Sequence, residues 1–293
     1  MLNPSIIQRH EMLHHRNPLV SVVVPCYNTE KFIADCLRSV VIQDYHPIEI
    51  IVVDDCSTDN SVEKTRGFMK NTKKKVGLLC NPNNLGECRT SELGFQLAKG
   101  EYVCRLSADD MFVNSDHISR QVDEMEMYDL DWCYNNRNLV GETIQDAVVC
   151  NTAWLPIPIR YSANISHIFD NVLLKHFPSV CYLIAMTRNP INSSALMIRK
   201  AVHSTNGKRW DGSGLRSVCD AWLIANLLLS GAKVRAIHSI GSFYRIHDGQ
   251  ATGKPNTNAD AIQMRHVLYK RILAENPPAW MKLCVEVLYG SGQ

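Results

Sequence analysis

No stretch of this 293-residue chain stays apolar for the ~20 residues that a membrane-spanning helix requires. The opening residues, MLNPSIIQRHEMLHHRN, lack the apolar core of a secretory signal. The eleven cysteines are odd in number and scattered, and no C-x-x-C pair occurs among them, which excludes a zinc ribbon and a disulfide frame. Their apolar surroundings, as at Cys36, Cys80, Cys104 and Cys181, make them small buried hydrophobes in a reducing compartment. A cytoplasmic protein with at most peripheral membrane contact is the expectation. An excess of one charge is also missing: 31 basic residues face 29 acidic ones, so no global field points to nucleic acid. Lys73-Lys74-Lys75 reads as a solvated turn. Neither G-x-G-x-x-G nor a Walker A motif follows any strand, which removes the dinucleotide and P-loop cradles. Without internal repeats or low-complexity linkers, the chain is expected to form one compact domain of two unequal lobes.

What is present is a regular alternation from Leu19 onward. LVSVVVP (19–25) and IEIIVVD (48–54) are β-branched runs that predict strands buried on both faces. EKFIADCLRSVVIQ (30–43) sets Phe32, Ile33, Cys36, Leu37, Val40 and Val41 on one helical face. A second helix is expected after Asn60, which with Glu63 has capping-box spacing. KVGLLC (75–80), a helix from Glu87, and EYVCRLS (101–107) complete three strand–helix repeats, the signature of parallel βαβ units. The second half is less regular. It offers SDHISRQVDEMEMY as a helix, LDWCYN and SSALMIRK as strands, and DAWLIANLLLSG (220–231) as an apolar helix with Gly231 at its C-terminal cap. KVRAIHSIGSFYRIH follows as one or two strands and residues 258–276 as a surface helix.

In open parallel sheets ligands bind beyond the carboxyl ends of the strands. Three of these ends turn polar in the same way, leading into PCYNTE, DDCSTD and SADD. Carboxylates and small hydrogen-bonding residues therefore gather along one sheet edge. Adjacent acids such as Asp109 and Asp110 repel unless a cation or donors lie between them. An acidic site holds an anionic ligand only with a metal or basic groups to offset the charge, and Mg²⁺ commonly takes one or two carboxylates together with substrate phosphate. A metal-bound nucleotide fits that chemistry. A receiver domain, whose acid pocket also binds Mg²⁺, would leave the rest of the chain unexplained.

Several blocks in order, VSVVVPCYNTEKFIADCLRSVVIQ, EIIVVDDCSTDNS, NNLGE…LAKGEYVCRLSADD and CDAWLIANLLLSGAK…YRIH, resemble the family 2 glycosyltransferases from about Leu19 to about Thr252. The resemblance implies a GT-A fold, a Rossmann-like, mostly parallel α/β sheet with flanking helices. It implies inverting transfer of a sugar from a nucleotide diphosphate sugar to a glycan, lipid-linked or other hydroxyl acceptor, with Mn²⁺ or Mg²⁺ as cofactor. The corresponding division is an extension (1–18), a nucleotide-sugar-binding half (19–115), an acceptor-binding and catalytic half (116–252) and a helical tail (253–293).

By the same resemblance, Pro25, Tyr27, Asn28 and Glu30 line the base and ribose pocket, and Asp55 accepts the N–H of uracil or thymine, favouring UDP- or dTDP-linked donors. Gly86 and Arg89 flank the nucleotide, Asp109 and Asp110 hold the metal, and Asp220 is the general base. Arg245 and His247 close over the diphosphate, His247 as a further metal ligand. Taken alone, Asp220 reads as a helix cap, and His247 equally satisfies a backbone carbonyl. His10, His14 and His15 fall outside the resemblance and read as solvent-exposed. Five positions depart from the family pattern. Ser107 replaces the first acid of D-A-D-D and is suited to ribose rather than metal. Ser91-Glu92 replaces Arg-Asn, which puts the diphosphate contact of that helix on Arg89. Cys219 replaces a glutamate, and Asn226 an arginine. These departures motivate two alternatives, a nucleotide-binding pseudoenzyme or partner module and, more distantly, a nucleotidyltransferase.

Overall fold

The structure is a computed structural model describing residues 17–140, 191, 193–204, 215–250 and most of 259–270. The two β-branched runs form Val20–Cys26 (β1) and Ile48–Asp54 (β2), and every side chain in them except the half-buried Pro25 is buried. Between them Ile33–Val41 (α1) turns Ile33, Cys36, Leu37 and Val40 inward. Ser61–Asn71 (α2), Val76–Cys80 (β3), Glu87–Leu97 (α3) and Tyr102–Arg105 (β4) follow. β1 pairs in parallel with β2 from Val20↔Ile48 to Cys26↔Asp54 and with β4 from Val20↔Tyr102, while β3 adds in parallel outside β2.

The sheet then continues through the second half. Met111–Phe112 (β5), His117–Met127 (α4), Trp132–Val140 (β6), a 3₁₀ turn at Ser193–Ala195, Leu196–Arg199 (β7), Lys200–Ser204 (α5), Cys219–Leu229 (α6) and Val234–Arg245 (β8) complete the described elements. The eight strands lie in the order β3-β2-β1-β4-β7-β6-β8-β5. β7 is antiparallel to both β4 and β6, so the parallel half joins a mixed half through one continuous ladder.

Side chains alternate across a strand, and the core divides accordingly. Val22, Val24, Ile50, Val52 and Cys104 pack toward Ile33, Leu37, Ile118 and Val122 of α1 and α4. Val23, Ile51, Val53 and Val103 pack toward Phe95, Trp222, Leu223 and Leu227 of α3 and α6. Both faces are therefore covered, as parallel strands require.

Some local expectations are corrected. Asn60 does not cap α2 through its side chain; its backbone N–H and its Nδ2 both donate to Glu30 Oε2, at 3.0 and 2.8 Å. Cys80 is exposed because β3 is the edge strand, whereas Cys36 and Cys104 are buried. β8 is one twelve-residue strand, accommodated against β6 by register shifts around Asn136. Gly231 does take the left-handed conformation after α6, with φ 68°. Cys181 and His10, His14 and His15 lie outside the described residues.

Helix α3 crosses β1 at Gly94, where a Cβ would come within 2.3 Å of Val23 Cγ1 and 3.3 Å of Val53 Cγ2. Gly94→Ala would gain about 1 kcal/mol of helix propensity and lose about 1–3 kcal/mol to overpacking. A net fall in the urea midpoint is expected; a midpoint that rises would show that α3 shifts without cost.

Candidate functional site

The polar ends of β1, β2 and β4 are neighbours in space. The Asp55 amide donates to the Cys26 carbonyl (2.8 Å) and the Ala108 amide to the Pro25 carbonyl (3.2 Å), so the ladder runs one step beyond each strand. Tyr27 thus stands between Asp55 and the Ser107–Asp110 turn, 48% exposed. Asn28 and Glu30 are used differently. Asn28 Oδ1 accepts from the Thr58 amide (2.8 Å), and Glu30 accepts from Asn60 and donates its own amide to Asp59 (2.9 Å). These two side chains tie the loop after β1 to the loop after β2. The Asn60 N–H groups hold the Glu30 carboxyl below the usual glutamate value. Asn28 and Cys56 adopt left-handed φ of 51° and 63° where the two loops turn, a conformation favoured by asparagine and uncommon for other non-glycine residues.

Asp55 is buried and organises the next loop. Oδ1 accepts from the Leu85 amide (2.8 Å) and Asn81 Nδ2 (2.9 Å), and Oδ2 from the Gly86 amide (2.8 Å). An ionised carboxylate has about four acceptor positions, which leaves room for one more donor. Gly86 has φ 88°, and a Cβ there would meet the Arg216 backbone at 2.8 Å; its missing side chain makes room for the chain ahead of α6.

The end of β8 closes the site from the other side. His247 Nε2 lies 3.2 Å from Asp109 Oδ2, and its ring packs on Phe32 at 4.7 Å between centroids. Arg245, 2% exposed, sits over the same Phe32 ring at 4.9 Å and pairs Nη2 with Asp35 at 3.3 Å. Its Nε and Nη1 are buried without a hydrogen-bond partner among the described residues. Buried guanidinium donors are costly to leave unpaired, so this corner is built for an anion. Asp110 points inward instead: Oδ1 accepts the Arg245 amide (3.0 Å) and Oδ2 the Ser194 hydroxyl. Among the described residues no three His, Cys, Asp or Glu side chains are grouped to hold a metal. Asp109 and His247 form a pair, which suits a cation that takes its remaining ligands from phosphate and water.

A cation that the sequence reading passed over occupies the floor. Arg105, 1% exposed at the end of β4, pairs with Glu87 of α3 and donates to Ser91, Ser107 and Ser193. Burial opposes its charge, but Glu87 and the nearby acids outweigh that and raise its pKa. Arg89, the expected substitute for the missing helix arginine, is exposed; the guanidinium that reaches Ser91 comes from β4. The signal was available, because arginine interrupts an otherwise apolar YVC-R-L run. Burial pushes the Glu87 carboxyl up, Arg105 pulls it down, and the charges of Asp220 and Asp109 add to a net rise. Asp220 therefore lies within electrostatic reach of the same group from the start of α6. Its Oδ1 accepts the Ala221 amide at 2.8 Å, and Val218, two residues earlier, is held at φ 59°. A β-branched residue rarely adopts that conformation.

Residues 21–161 match the family model described as glycosyl transferase family 2. The match spans just under half of the chain, and over that stretch the chain is similar to the family. Glycosyltransferase GlyG of Streptococcus pneumoniae is 38% identical over 118 residues, covering 40% of this chain and 38% of that protein, so this chain spans well under half of that relative's length. The Escherichia coli UDP-Glc:alpha-D-GlcNAc-diphosphoundecaprenol beta-1,3-glucosyltransferase WfaP is 27% identical over 253 residues, 85% of each chain. Staphylococcus aureus TarS 1-349 in complex with UDP-GlcNAc superimposes with TM-score 0.64 at 20% identity, over 87% of this chain and 66% of that one. The Pyrobaculum calidifontis mannosyltransferase PcManGT in complex with GDP-Man and Mn²⁺ does so with TM-score 0.60 at 16% identity, over 98% and 77%. The fold is GT-A.

Asp55→Ala would strand the buried Gly86 amide, at roughly 1–3 kcal/mol for an unpaired donor, and the half-buried Leu85 amide at less. Thermal unfolding should move to lower temperature, and hydrogen exchange at those two amides should accelerate. Unchanged protection there would show that the loop is held by other contacts.

Proposed function

We propose that the protein is an inverting glycosyltransferase that moves a sugar from a UDP- or dTDP-linked donor to a hydroxyl of a glycan or lipid-linked acceptor. The observation that carries this reading is the buried Arg245 with two unpartnered N–H groups beside the Asp109–His247 pair, at the edge where β1, β2 and β4 end. Tyr27 stacks on the base, Asp55 accepts the pyrimidine N–H at its remaining acceptor position, and Ser107 meets the ribose. The structural neighbours with UDP-GlcNAc or with GDP-Man and Mn²⁺, and the relative named for a diphosphoundecaprenol acceptor, support the donor and acceptor classes. Residues 19–115 then form the nucleotide-sugar-binding half and 116–252 the acceptor-binding and catalytic half.

Asp109 and His247 would hold the divalent cation, with Asp110 supporting them from behind through Ser194 and the Arg245 amide. When bound, that cation offsets the charge of the diphosphate. Arg245 donates Nε and Nη1 to the departing diphosphate and stabilises its growing charge. A sugar hydroxyl does not ionise at neutral pH, so a carboxylate must take its proton as the new bond forms. Asp220, at the start of α6 and within electrostatic reach of Glu87, fills that role. Nothing in the described residues is a helix long and apolar enough to cross a membrane, and a lipid-linked acceptor would be met at the surface.

Nucleotide release from a panel of UDP-, dTDP- and GDP-sugars with Mn²⁺ tests the activity; binding without turnover would favour the pseudoenzyme. Asp220→Asn should keep near-normal UDP affinity and turn over at least ~100-fold more slowly. A variant that retains most of its rate would show that Asp220, which lies in the first turn of α6 behind the Val218 cap position, is not the base. UDP affinity should fall on adding EDTA, and in Asp109→Asn by at least the ~10-fold typical of lost metal-supporting groups. Calorimetric titrations that EDTA leaves unchanged would remove the metal from the site.

A further inference from the structure

Taking an arginine out of water is costly unless partners replace the solvent, and one well-placed carboxylate is the usual minimum. Arg105 has more than that. Nη2 pairs with Glu87, Nε donates to Ser91 Oγ (3.3 Å), and Nη1 donates to Ser107 Oγ (3.1 Å) and Ser193 Oγ (2.9 Å). These partners come from α3, from the turn after β4 and from the 3₁₀ turn before β7. A guanidinium that served the core alone would need the counter-ion and could rest its plane against apolar neighbours. Here three hydroxyls converge on it instead. Two of them, Ser91 and Ser107, are among the positions where this chain departs from the pattern of the family it resembles.

Ser107 carries the arrangement into the site. Its Oγ accepts from Arg105 and lies 3.2 Å from Ser194 Oγ, which is also bonded to the Asp110 carboxylate. A hydroxyl has one proton and two acceptor positions. The single Ser194 proton goes to the carboxylate, the stronger acceptor, so Ser107 supplies the proton between the two hydroxyls. The result is a directed chain from Arg105 through Ser107 and Ser194 to Asp110, with a cation at one end and an anion at the other. Both ends fix the sense of every bond and strengthen it. Ser107, half-buried at the tip of β4, keeps one acceptor position for a hydrogen-bond donor from outside.

We propose that Arg105 is the positioning residue of the donor site, holding Ser107 as a preset acceptor for a ribose hydroxyl of the bound nucleotide. The inference rests on the nucleotide-sugar reading given above and adds to it the residue that orders the ribose contact. Lysine keeps the charge but lacks the planar fork that reaches Ser91, Ser107, Ser193 and Glu87 together.

The test is a calorimetric titration of the full chain with UDP and with 2′,3′-dideoxy-UDP, in wild type, Arg105→Lys and the double variant Arg105→Met/Glu87→Met. The double variant replaces the ion pair with apolar side chains of similar volume, a change that folds tolerate. Wild type should prefer UDP. Arg105→Lys should lose roughly tenfold in UDP affinity, on the order of one hydrogen bond to a preset partner, and little for the dideoxy compound. The double variant should show the same collapse of the ratio, with near-ultraviolet circular dichroism like that of wild type. An unchanged UDP-to-dideoxy ratio in the folded variants overturns the inference, as does a loss that follows only the fraction of protein unfolded. Equal wild-type affinity for the two compounds overturns it while leaving the nucleotide reading intact. A wild type that binds neither overturns both.

Discussion

Two backbone hydrogen bonds, from the Asp55 amide to the Cys26 carbonyl and from the Ala108 amide to the Pro25 carbonyl, carry the parallel ladder past the ends of β2 and β4. Neighbouring strands lie about 4.8 Å apart, so these bonds fix Tyr27, Asp55 and the Ser107–Asp110 turn side by side on one edge. That register depends on both faces of β1 being covered, by α1 and α4 on one side and by α3 and α6 on the other. A slip of one residue would turn Val22 and Val24 to the wrong layer and take the polar turns out of alignment. The core and the site are thus set by the same pairing.

The charges along that edge divide into satisfied and open groups. Asp54 accepts from Ser57, Asp55 from the 81–86 loop, and Asp110 from Ser194 and the Arg245 amide. These carboxylates are buried and spend most of their acceptor positions on the protein, Asp55 keeping one, which makes them organisers of loops. Asp109, Glu87 and Asp220 keep part of their surface open. The two arginines divide in the same way, since Arg105 is surrounded by partners and Arg245 has donors left over. A buried cation with unpaired N–H groups is stable only where an anion regularly replaces water. Among the described residues, Arg245 is therefore the one of these two guanidinium groups with donors available to an anion.

The parallel half was legible because β-branched runs and a 3.6-residue apolar period leave few competing structures for residues 19–112. The polar strand ends were legible for the same reason, and with them Tyr27, Asp55 and Asp109. What the pattern could not show is how a polar side chain is used once neighbours arrive. Asn28 and Glu30 look like pocket residues in one dimension, yet Thr58 and Asn60 engage them across 30 positions of sequence. Asp109 and Asp110 are adjacent in the chain and opposite in role, because consecutive residues in the turn face different sides. Arg105 was passed over since a single basic residue in a buried run has no periodicity to mark it; its meaning lies in Ser91, Ser107 and Ser193, which are distant in sequence.

The contact between α3 and the segment ahead of α6 brings Asp220 within electrostatic reach of Glu87 and Arg105. The Cys88 amide donates to the Arg216 carbonyl (3.2 Å) and the Cys88 thiol to the Ser217 carbonyl (3.1 Å), so the first turn of α3 grips the segment ahead of α6. Ser217 is held in turn by Asp260 at 2.6 Å. Gly86 allows this approach, because any side chain there would collide with the Arg216 backbone. Val218 absorbs the sharp turn in a conformation that costs a β-branched residue about 1–3 kcal/mol, and α6 begins at once. The body of that helix is apolar and buried, so it cannot rotate to relieve the strain without exposing Trp222 or Leu223. Strain at Val218 and burial of α6 oppose each other, and their balance fixes the direction of Asp220. Since the same turn of α3 carries Glu87 to Arg105, one contact sets the acid at the head of α6 and the cation at the end of β4 in a single frame.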